Sequence, residues 1–450
     1  MTPAEMKAVD AAAPEPIEVL VSRAGAAVAR VARSLLGGTY GRRVVVVAGT
    51  GNNGADGRDA ARRLRRAGVG VQVIEAADAP PTLPAADLVI DAAFGTGFRG
   101  TYQAPDPGAA TVLAVDIPSG IDGLTGAESG QATRADVTVT FAALKPGLLL
   151  GIGARRCGEI QVADIGLDVS SATAGEVTDD DVVGWYPLRS AEAHKWVAAT
   201  WVVGGAPSMP GAPALCAAAA MRTGASYVRW SVPGVPSSPH MPIEAVAWPV
   251  PATGWHREVI DSAEKVRSVV LGPGLGREPS VRTSVREVIA ACEAPLVVDG
   301  DGLWALGDEL VPRPDGRSLV LTPHDGEFAQ LTGSPPGDDR LAAARALAAR
   351  CRAVVLLKGP TTVVADPEGR VALVTSGDDR LATAGTGDVL AGMIGAWLAR
   401  GTPAFEAAAG AAHLHGLVAR SLPRHGLVAG DLVAAIPVVA DGLLGGGRER

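Results

Sequence analysis

At 450 residues the chain is longer than one ordinary hydrophobic core requires, which predicts two or three domains. Hydrophobic residues make up 47% of it and charged residues 20%, a balance that excludes an intrinsically disordered polymer. The formal net charge of −8, without any block of like charge, excludes a basic nucleic-acid-binding face.

The cysteines and the N-terminal residues indicate the compartment. Cys157, Cys216, Cys292 and Cys351 lie far apart without a CxxC spacing, which argues against structural zinc and disulfides and favours a reducing environment. The first twenty residues carry four acidic side chains and no apolar run, so we expect no signal peptide, and no apolar run in the sequence reaches about 18 residues. We therefore expect a cytoplasmic protein that binds neither nucleic acid nor membrane.

Short apolar runs alternate with helical patterns in the first half of the chain. A loop is predicted at Gly49–Gly57 and a helix at Arg58–Ala67. Strands are predicted at Val44–Val47, Val69–Ile74, Leu88–Ile90, Val112–Val115 and Val137–Phe141. The alternation predicts an α/β domain with a parallel sheet, in which ligands bind at the carboxyl ends of the strands.

The residues Gly49-Thr50-Gly51-Asn52-Asn53-Gly54 match GxGxxG after the first strand, and Glu75 ends the next strand. This pattern is typical of dinucleotide binding, although a tight structural turn would use the same glycines. Asn52, Asn53 and Asp56 add side-chain oxygens that suit a cation or ribose hydroxyl groups.

Three further polar loops follow strands in this half. They are Asp91–Gly97, Asp116–Asp122 and Phe141–Gly147, and they supply three carboxylates, the Ser119 hydroxyl and the Lys145 ammonium. Each loop alone is equally compatible with turn and helix-capping chemistry. Because all of them fall at strand ends in one domain, together they predict a binding site.

In that order GNNGADG, DAAFGTG, VDIPSGIDGLTG and ADVTVTFAALKPG resemble the NAD(P)H-hydrate epimerase family over about residues 4–168. The resemblance implies inversion at C6 of the hydrated nicotinamide ring, with Asp116 moving the proton and Lys145 polarising the site. It implies potassium bound by Asn53, Asp91 and Ser119. The implied contacts to the hydrated nucleotide are Asn52, Asn53, Gly54, Ala55, Asp56, Gly95, Thr96, Gly97, Phe98, Arg99, Gly100, Thr101 and Asp116.

This half departs from the family pattern twice. Ala55 replaces a glycine of GNNGGDG, and an alanine held at positive φ would strain the loop by about 1 kcal/mol or more. The stretch Leu20–Gly25 lacks the glutamate of the LMExAG-like pattern. Epimerase activity is therefore less firmly implied than the fold.

Periodicity lapses around residues 168–190, where Asp179-Asp180-Asp181 marks a boundary or caps a short helix. We expect domains at 1–172 and 189–450 and a linker at 173–188. Strands of a larger second α/β domain are predicted at Trp201–Val203, Val269–Leu271, Leu296–Val298, Leu319–Leu321, Val354–Leu357 and Val371–Val374.

The most distinctive pattern of the second half is Ala382–Gly392, with sequence ATAGTGDVLAG. Glycines at a helix start present backbone N–H groups to a negative charge, and Asp388 can accept a proton from an attacking hydroxyl. A glycine-rich turn with Asp388 stabilising the helix dipole would look similar. The small residues on both sides favour a ligand against the backbone.

Other loops of this half also follow predicted strands. Lys358–Thr362 offers an ammonium and two hydroxyls for phosphates, and Leu321–Glu327 carries His324. Gly272–Gly276 and Gly204–Ala212 permit close approach of the backbone to a ligand. Asp299 and Asp301 are weaker candidates for metal binding or capping.

VVGGAPSMPGA, LGPGLG, LTPHDGEF, LLKGPTTVVA and ATAGTGDVLAGM resemble the NAD(P)H-hydrate dehydratase family, with its ribokinase-like fold, over about residues 190–440. The resemblance implies that Asp388 deprotonates the ring hydroxyl, which accepts a phosphoryl group and leaves as phosphate. It implies ADP as co-substrate, because fused chains are typically prokaryotic, and Mg²⁺ to neutralise the phosphates. The implied contacts are Ala212, Gly276, His324 and Asp388 to the hydrated dinucleotide, and Lys358, Gly359, Pro360, Thr361, Thr362 and Gly387 to the adenine nucleotide.

The pattern departs from the family at Val298–Leu303, where DADAL is usual, and at Trp196, where glycine is common. Taken together the residues predict a Rossmann-like three-layer domain followed by a ribokinase-like domain, forming a homo-oligomer that repairs hydrated NADH and NADPH. Two alternatives remain. One is a ribokinase-like kinase of a vitamin-precursor alcohol, and the other is a non-enzymatic NAD-binding module.

Overall fold

The computed structural model describes residues 1–188, 194–206, 208–307, 313 and 316–446. The chain divides into two compact units, Met1–Ala174 and Gly175–Arg450. Residues 189–193, where the second domain was expected to begin, and Pro207 of the glycine loop 204–212 lie outside the described residues.

Five helices and eight strands make up the first unit. The helices are α1 (Pro3–Ala12), α2 (Ile17–Leu36), α3 (Asn52–Arg66), α4 (Pro146–Leu149) and α5 (Gly153–Arg156). The strands are β1 (Arg43–Ala48), β2 (Gly70–Glu75), β3 (Leu88–Ala92), β4 (Tyr102–Gln103), β5 (Thr111–Val115), β6 (Gly130–Gln131), β7 (Val137–Phe141) and β8 (Glu159–Ala163).

Six of these strands form a parallel sheet in the order β2-β1-β3-β5-β7-β8, while β4 and β6 pair separately. One face of the sheet packs against α2 and α3, and the other is covered by the segments between β2 and β5. Since β1 lies between β2 and β3, the strand order reverses there. Open parallel sheets bind ligands at such a reversal.

The predicted loop at Gly49–Gly57 is wrong, because α3 begins six residues earlier than expected, at Asn52. The Ala55 N–H already bonds to the Gly51 carbonyl, as in the first turn of a helix. The glycines within α3 serve close packing rather than flexibility. A side chain at Gly54 would collide with the Gly49 carbonyl, and one at Gly57 would press on Ala92.

Residues 173–188, expected as a linker, carry strand β9 (Ala174–Glu176) and helix α6 (Asp179–Trp185). Thr178, rather than Asp179, caps α6, through a capping box with Asp181. Asp179 Oδ1 instead lies 2.8 Å from Nε2 of His413. The stretch packs into the second unit, where Val182 is fully buried.

Nine further strands and nine further helices form the described part of the second unit. The strands are β10 (Ala199–Val203), β11 (Tyr227–Ser231), β12 (Val246–Ala247), β13 (Ser268–Leu271), β14 (Leu296–Val298), β15 (Leu319–Leu321), β16 (Val354–Leu357), β17 (Thr362–Ala365) and β18 (Val371–Val374). The helices are α7 (Gly211–Arg222), α8 (His256–Ser262), α9 (Pro279–Ala291), α10 (Asp301–Leu306), α11 (Asp325–Thr332), α12 (Arg340–Cys351), α13 (Thr386–Ala399), α14 (Ala404–Ser421) and α15 (Ala429–Gly446).

The second sheet has the order β12-β11-β10-β13-β14-β15-β16-β17-β18-β9. Strands β12 to β16 run parallel, and the chain then turns back antiparallel through β17 and β18. Helix α13 packs so closely on α7 that a side chain at Gly392 would collide with the Cys216 carbonyl. Within the described residues, no helix combines the length and apolarity that crossing a bilayer demands.

Candidate active sites

A cavity of about 760 Å³ opens in the first unit at the carboxyl ends of β1, β3, β5 and β7. It lies at the reversal of strand order, as expected for a parallel sheet. Loop and helix residues from at least six segments line it: Met6, Asp10, Ile17, Leu20, Val21, Ala24, Thr50, Gly51, Asn52, Asn53, Asp56, Ala93, Phe94, Gly95, Thr96, Gly97, Phe98, Arg99, Asp116, Phe141, Lys145, Ile165 and Leu167.

Two strained turns orient polar groups of this cavity. Asp116, directly after β5, has φ +67°, and Ala142, directly after β7, has φ +61°. In each turn the following N–H bonds to the carbonyl two residues back, from Ile117 to Val115 at 2.8 Å and from Ala143 to Phe141 at 2.7 Å. This γ-turn with positive φ is rare and strained, and such strain concentrates at functional sites.

Asp116 and Lys145 form an ion pair in the cavity wall, with Nζ 2.7 Å from Oδ1. The Lys145 ammonium is almost completely buried and also donates to the Thr140 hydroxyl at 2.9 Å and the Phe141 carbonyl at 2.8 Å. Three oxygen partners hold the ammonium in place, so it cannot swing away from Asp116. The pair presents one carboxylate to the cavity beside a fixed positive charge.

Asp56 is a second carboxyl group of the cavity, and it is 7% exposed. Burial, followed by the nearby carboxylates Asp116, Asp59 and Asp10, raises the pKa of Asp56 to about 8. The group is therefore protonated at neutral pH. The cavity thus holds one buried carboxyl group without a cation, one carboxylate paired with lysine and the exposed carboxyl group of Asp10.

The sequence-predicted nucleotide contacts fall into two groups. Asn52, Asn53, Asp56, Asp116 and Gly95 to Arg99 line the cavity, whereas Gly54, Ala55, Gly100 and Thr101 are absent from its lining, within a unit that the structure describes completely. Ala55 lies inside α3 and is not among the residues with positive φ. The strain expected of an alanine there does not arise.

Two of the three predicted potassium ligands, Asp91 and Ser119, contact each other, whereas Asn53 lines the cavity. The Ser119 hydroxyl donates to Asp91 Oδ1 at 2.7 Å, and the Ser119 N–H donates to Oδ2 at 2.8 Å. Both residues are buried, and burial raises the pKa of Asp91. Nδ2 of Asn53 is buried without a hydrogen-bond partner in the fully described first unit. Because rotation of the amide exchanges its nitrogen and oxygen, this position can offer an oxygen ligand.

The position of the missing family glutamate is Ser22, on α2. Its hydroxyl accepts a hydrogen bond from Arg63 Nη2 at 2.8 Å, and Arg63 also pairs with Asp59 at 2.5 Å. These contacts join α2 to α3 rather than reaching the cavity. The departure at this position therefore leaves the cavity lining unchanged.

Two helices contribute a wall that motif reasoning missed. Helix α1 brings Met6 and Asp10, and helix α2 brings Ile17, Leu20 and Val21. The apolar positions of α2 recur at helical spacing, which predicts only a buried face. These apolar positions of α2 belong to no polar motif. Their periodicity alone therefore could not show whether they face the hydrophobic core or a cavity.

The candidate site of the second unit lies at the start of α13. Gly385 precedes the helix with φ +90°, and the Thr386 hydroxyl donates to the Leu381 carbonyl at 2.7 Å and to that of Thr383 at 2.9 Å. A methyl group at Gly387 would lie 3.4 Å from Lys358 Nζ. The first turn therefore presents free backbone N–H groups beside an ammonium, an arrangement that binds anions.

A buried charge cluster adjoins this turn. Lys358 Nζ lies 2.8 Å from Asp299 Oδ1 and 3.8 Å from Glu327 Oε2, and the Thr322 hydroxyl donates to Asp299 at 2.7 Å. Asp388, in the first turn of α13, has its pKa raised to about 7 by burial and then by Asp299, against the opposing effect of Lys358. Asp388 is thus poised to exchange a proton near neutral pH.

Asp299 was only a weak sequence candidate, yet it occupies the centre of this cluster. Its partner Lys358 is 59 residues away along the chain. Asp299 follows β14 and Lys358 follows β16, and β15 lies between these two strands. Glu327 was likewise noted only as part of a polar loop. No local pattern identifies either carboxylate as a neighbour of the anion-binding turn.

The remaining predicted contacts sit around the same edge of the sheet. His324 caps α11, with Nδ1 accepting from the N–H groups of Gly326 and Glu327 at 3.0 and 3.2 Å, and its ring is largely exposed. The Gly276 N–H donates to Asp301 at 2.9 Å. Ala212 lies in the first turn of α7, against Gly274. Gly359 and Pro360 are exposed, Thr361 is buried, and Thr362 begins β17.

Comparison with known proteins gives two family models that match in tandem. A model for NAD(P)H-hydrate dehydratase matches residues 200–437. A model for the YjeF-related protein N-terminus matches residues 17–86 and 74–147. Each match falls mainly within one of the two structural units.

Curated relatives extend over nearly the whole chain. A bifunctional NAD(P)H-hydrate repair enzyme of Salinibacter ruber is 36% identical, covering 97% of this chain and 94% of the relative. One of Mycobacterium tuberculosis is 39% identical, covering 83% and 82%. Among solved structures, the ADP/ATP-dependent NAD(P)H-hydrate dehydratase of Bacillus subtilis, co-crystallised with ATP and Mg²⁺, has a TM-score of 0.53 and 32% identity. It covers 59% of this chain and 97% of its own.

Proposed function

The chain belongs to the family of bifunctional NAD(P)H-hydrate repair enzymes, and from that premise we propose that each unit carries one active site for the repair of hydrated NADH and NADPH. The first unit exchanges the R and S hydrates by inverting C6 of the ring. The second dehydrates the S hydrate with ADP, giving NAD(P)H, AMP and phosphate. The enzyme is thus both an isomerase and a lyase.

The turn at the start of α13 carries the dehydratase assignment. Asp388 accepts the proton of the C6 hydroxyl as its oxygen attacks the β-phosphorus of ADP, and AMP leaves. The N–H groups of the Gly387 turn and the Lys358 ammonium stabilise the transferring phosphoryl group. The ring nitrogen then expels phosphate, and loss of a C5 proton completes the C5=C6 double bond.

Both nucleotides have proposed protein partners in this unit. Lys358, Gly387 and the 359–362 segment bind ADP, and Ala212, Gly276 and His324 contact the hydrated dinucleotide. Asp299 supplies a buried carboxylate next to Gly387 for Mg²⁺, which prefers oxygen ligands. When bound, the ion neutralises phosphate charge.

In the first unit, Asp116 beside Lys145 moves the proton during inversion, and the segments Asn52–Asp56 and Gly95–Thr101 bind the hydrate together with Asp116. We propose potassium bound by Asn53, Asp91 and Ser119. The buried unpaired amide of Asn53 supports this set, as does the buried carboxylate of Asp91. When bound, the ion offsets the negative charge of Asp91.

We place the protein in the cytoplasm as a homo-oligomer. All four cysteines are free and buried, in keeping with a reducing compartment. Ile243 and Val438 of the second unit are 91% and 75% exposed, which leaves apolar side chains for contact between copies.

Purified protein with ADP and Mg²⁺ is expected to restore absorbance at 340 nm from chemically hydrated NADH. The same assay with ATP compares the two donors directly. Recovery with ATP but not ADP would contradict the choice of ADP. No recovery with either nucleotide, together with phosphorylation of a vitamin-precursor alcohol, would identify a ribokinase-like kinase instead.

Replacing K⁺ by Li⁺ at constant ionic strength is expected to slow epimer exchange about tenfold or more, because the smaller ion fits the Asn53–Asp91–Ser119 oxygens poorly. K⁺ should also raise the melting temperature of the first unit by mass action. Calorimetry measures this shift independently of activity. An Asn53→Ala variant should lose the K⁺-dependent shift, and an unchanged shift would exclude Asn53 as a ligand.

A further inference from the structure

We propose that Asp56 is the general acid of the epimerase site, acting across the cavity from Asp116 as the general base. This role rests on the epimerase function proposed above and goes beyond a binding contact for Asp56. It assigns the two proton transfers that inversion at C6 requires to two different carboxyl groups.

The two carboxyl groups differ in their partners. Asp116 is bonded to the buried Lys145 ammonium at 2.7 Å and accepts from the Thr140 hydroxyl at 3.2 Å. Asp56 is 7% exposed and has neither a hydrogen bond nor an ion pair with any side chain or backbone group of the completely described first unit. A buried carboxyl group without a neighbouring cation keeps its proton, and Asp116 differs from Asp56 in having the Lys145 ammonium as its neighbour.

The positions of the two groups suit a ring bound between them. Asp56 lies in the first turns of α3, which follows β1, and Asp116 directly follows β5. Strand β3 separates β1 from β5. The carboxyl ends of β1 and β5 are therefore about 10 Å apart, given the spacing of neighbouring strands in a sheet. Gly95, after β3, lies beside Asp116 and the first turn of α3, since a methyl group there would be 3.2 Å from Asp116 Oδ2 and 3.5 Å from Asn53 Cγ.

Charged groups from five segments line the cavity or lie near Asp56. Asp10 comes from α1, Asp59 lies one turn further along α3, and Asp116 and Lys145 follow β5 and β7. Arg99 lines the cavity from the loop after β3. Carboxylates predominate among these groups, and the ammonium of Lys145 is already bonded to Asp116.

The two groups complete a balanced inversion. Asp56 gives its proton to the C6 hydroxyl, the C6–O bond breaks with its electron pair, and water leaves while the ring-nitrogen lone pair forms N1=C6. Water then adds to the opposite face of the planar carbon, and Asp116 takes the proton that this water loses. The proton returns from Asp116 to Asp56 through cavity water, so no oxidant or reductant is needed.

Asp56→Asn preserves the shape of the side chain and removes the acid. We expect kcat for epimer exchange to fall about 10²-fold with KM changed less than about threefold, since general acid catalysis contributes factors of this size. Asp78→Asn is the matched control, because Asp78 is an exposed aspartate of the same unit that does not line the cavity. It should change kcat by less than about threefold.

Three further readouts separate catalysis from structure. The wild-type rate should fall as the pH rises above about 8, where Asp56 loses its proton, and this alkaline limb should be missing in Asp56→Asn. Label from H₂¹⁸O should enter the C6 hydroxyl at the rate of epimer exchange. Asp56→Glu, which keeps a carboxylic acid, should restore part of the rate lost in Asp56→Asn.

A normal kcat in Asp56→Asn, or a loss confined to KM, would overturn the acid role. Absence of ¹⁸O label would exclude the water-loss step. The S-hydrate dehydration rate of the second unit reports whether the variant is folded, so a variant that lacks this rate is replaced by Asp56→Glu. No epimer exchange in the wild-type enzyme would refute the proposed epimerase function rather than the role of Asp56.

Discussion

Asp388→Asn is expected to slow ADP-dependent dehydration of the S hydrate by about 10³-fold, equivalent to about 4 kcal/mol of transition-state stabilisation. The amide cannot accept the hydroxyl proton, while Lys358 and the N–H groups of the α13 turn still bind phosphate. The loss should therefore appear in kcat, with the KM for ADP nearly unchanged. Recovery of absorbance at 340 nm from purified S hydrate measures the rate.

The pH profile of the wild-type dehydratase gives an independent check on Asp388. A general base must be ionised, and the pKa of Asp388 is raised to about 7, first by burial and then by Asp299. We therefore expect kcat/KM to rise with pH up to about 7 and then level off. A profile that is flat between pH 5 and 8 would contradict the assignment of Asp388 as the base.

Folding of the Asp388→Asn variant can be verified in the same preparation. The pKa of Asp388 in the folded protein lies above the ordinary value of 3.8, so ionisation of Asp388 destabilises the fold. This destabilisation grows between about pH 4 and 7 and is complete above that range. Removing the carboxyl should leave the melting temperature at pH 8 equal or higher. Epimer exchange by the first unit should persist. Loss of both activities in a folded variant would refute independent sites.

Strands of β-branched residues were the most predictable part of the fold. Leu296–Val298, Leu319–Leu321, Val354–Leu357 and Val371–Val374 have the predicted bounds, because short apolar runs buried on both faces leave little alternative. Strand β11 was missed since Arg229 interrupts its pattern. In the structure this arginine is buried, and its guanidinium stacks 4.1 Å from the ring centre of Trp248.

The start of α3 could not be predicted, because there the local composition and the tertiary packing favour different structures. Asn, Gly and Asp are weak helix formers, so Asn52–Gly57 has the composition of a loop. Packing overrides this preference, because Gly54 and Gly57 let the helix approach Gly49 and Ala92 more closely than any side chain would allow. Gly51 of the motif lines the cavity, but the spacing of the motif glycines did not give the secondary structure.

The candidate sites likewise combine residues that local sequence patterns predict with contacts that depend on the fold. Asp116, Lys145, Lys358 and Asp388 follow strands or open a helix, so strand-end reasoning reaches them from the sequence. The residues with which they pair depend on the order of strands in the sheet. That order cannot be read directly from the sequence. The ion pair of Lys358 with Asp299, and the contrast between Asp56 without a cation and Asp116 beside Lys145, depend on that order.

Asp116→Asn is expected to lower epimer exchange by about 10³-fold or more and to leave dehydration of the S hydrate intact. The side chain loses both its basic oxygen and its ion pair with Lys145, whose buried ammonium is then left with the Thr140 and Phe141 oxygens alone. Starting from a mixture of R and S hydrates, recovery of absorbance at 340 nm should stop at the S fraction. Adding wild-type enzyme should then restore the remainder.

Asp122→Asn is the matched control for this prediction. Asp122 belongs to the same loop as Asp116, but its Oδ1 accepts from the N–H groups of Leu124 and Thr125 at 2.9 and 2.8 Å within a turn, and it does not line the fully described cavity. An asparagine oxygen can accept the same bonds, so exchange should stay within about threefold of the wild type. If Asp116→Asn still converted the whole mixture at the wild-type rate, the proton that inverts C6 would have to move through another group.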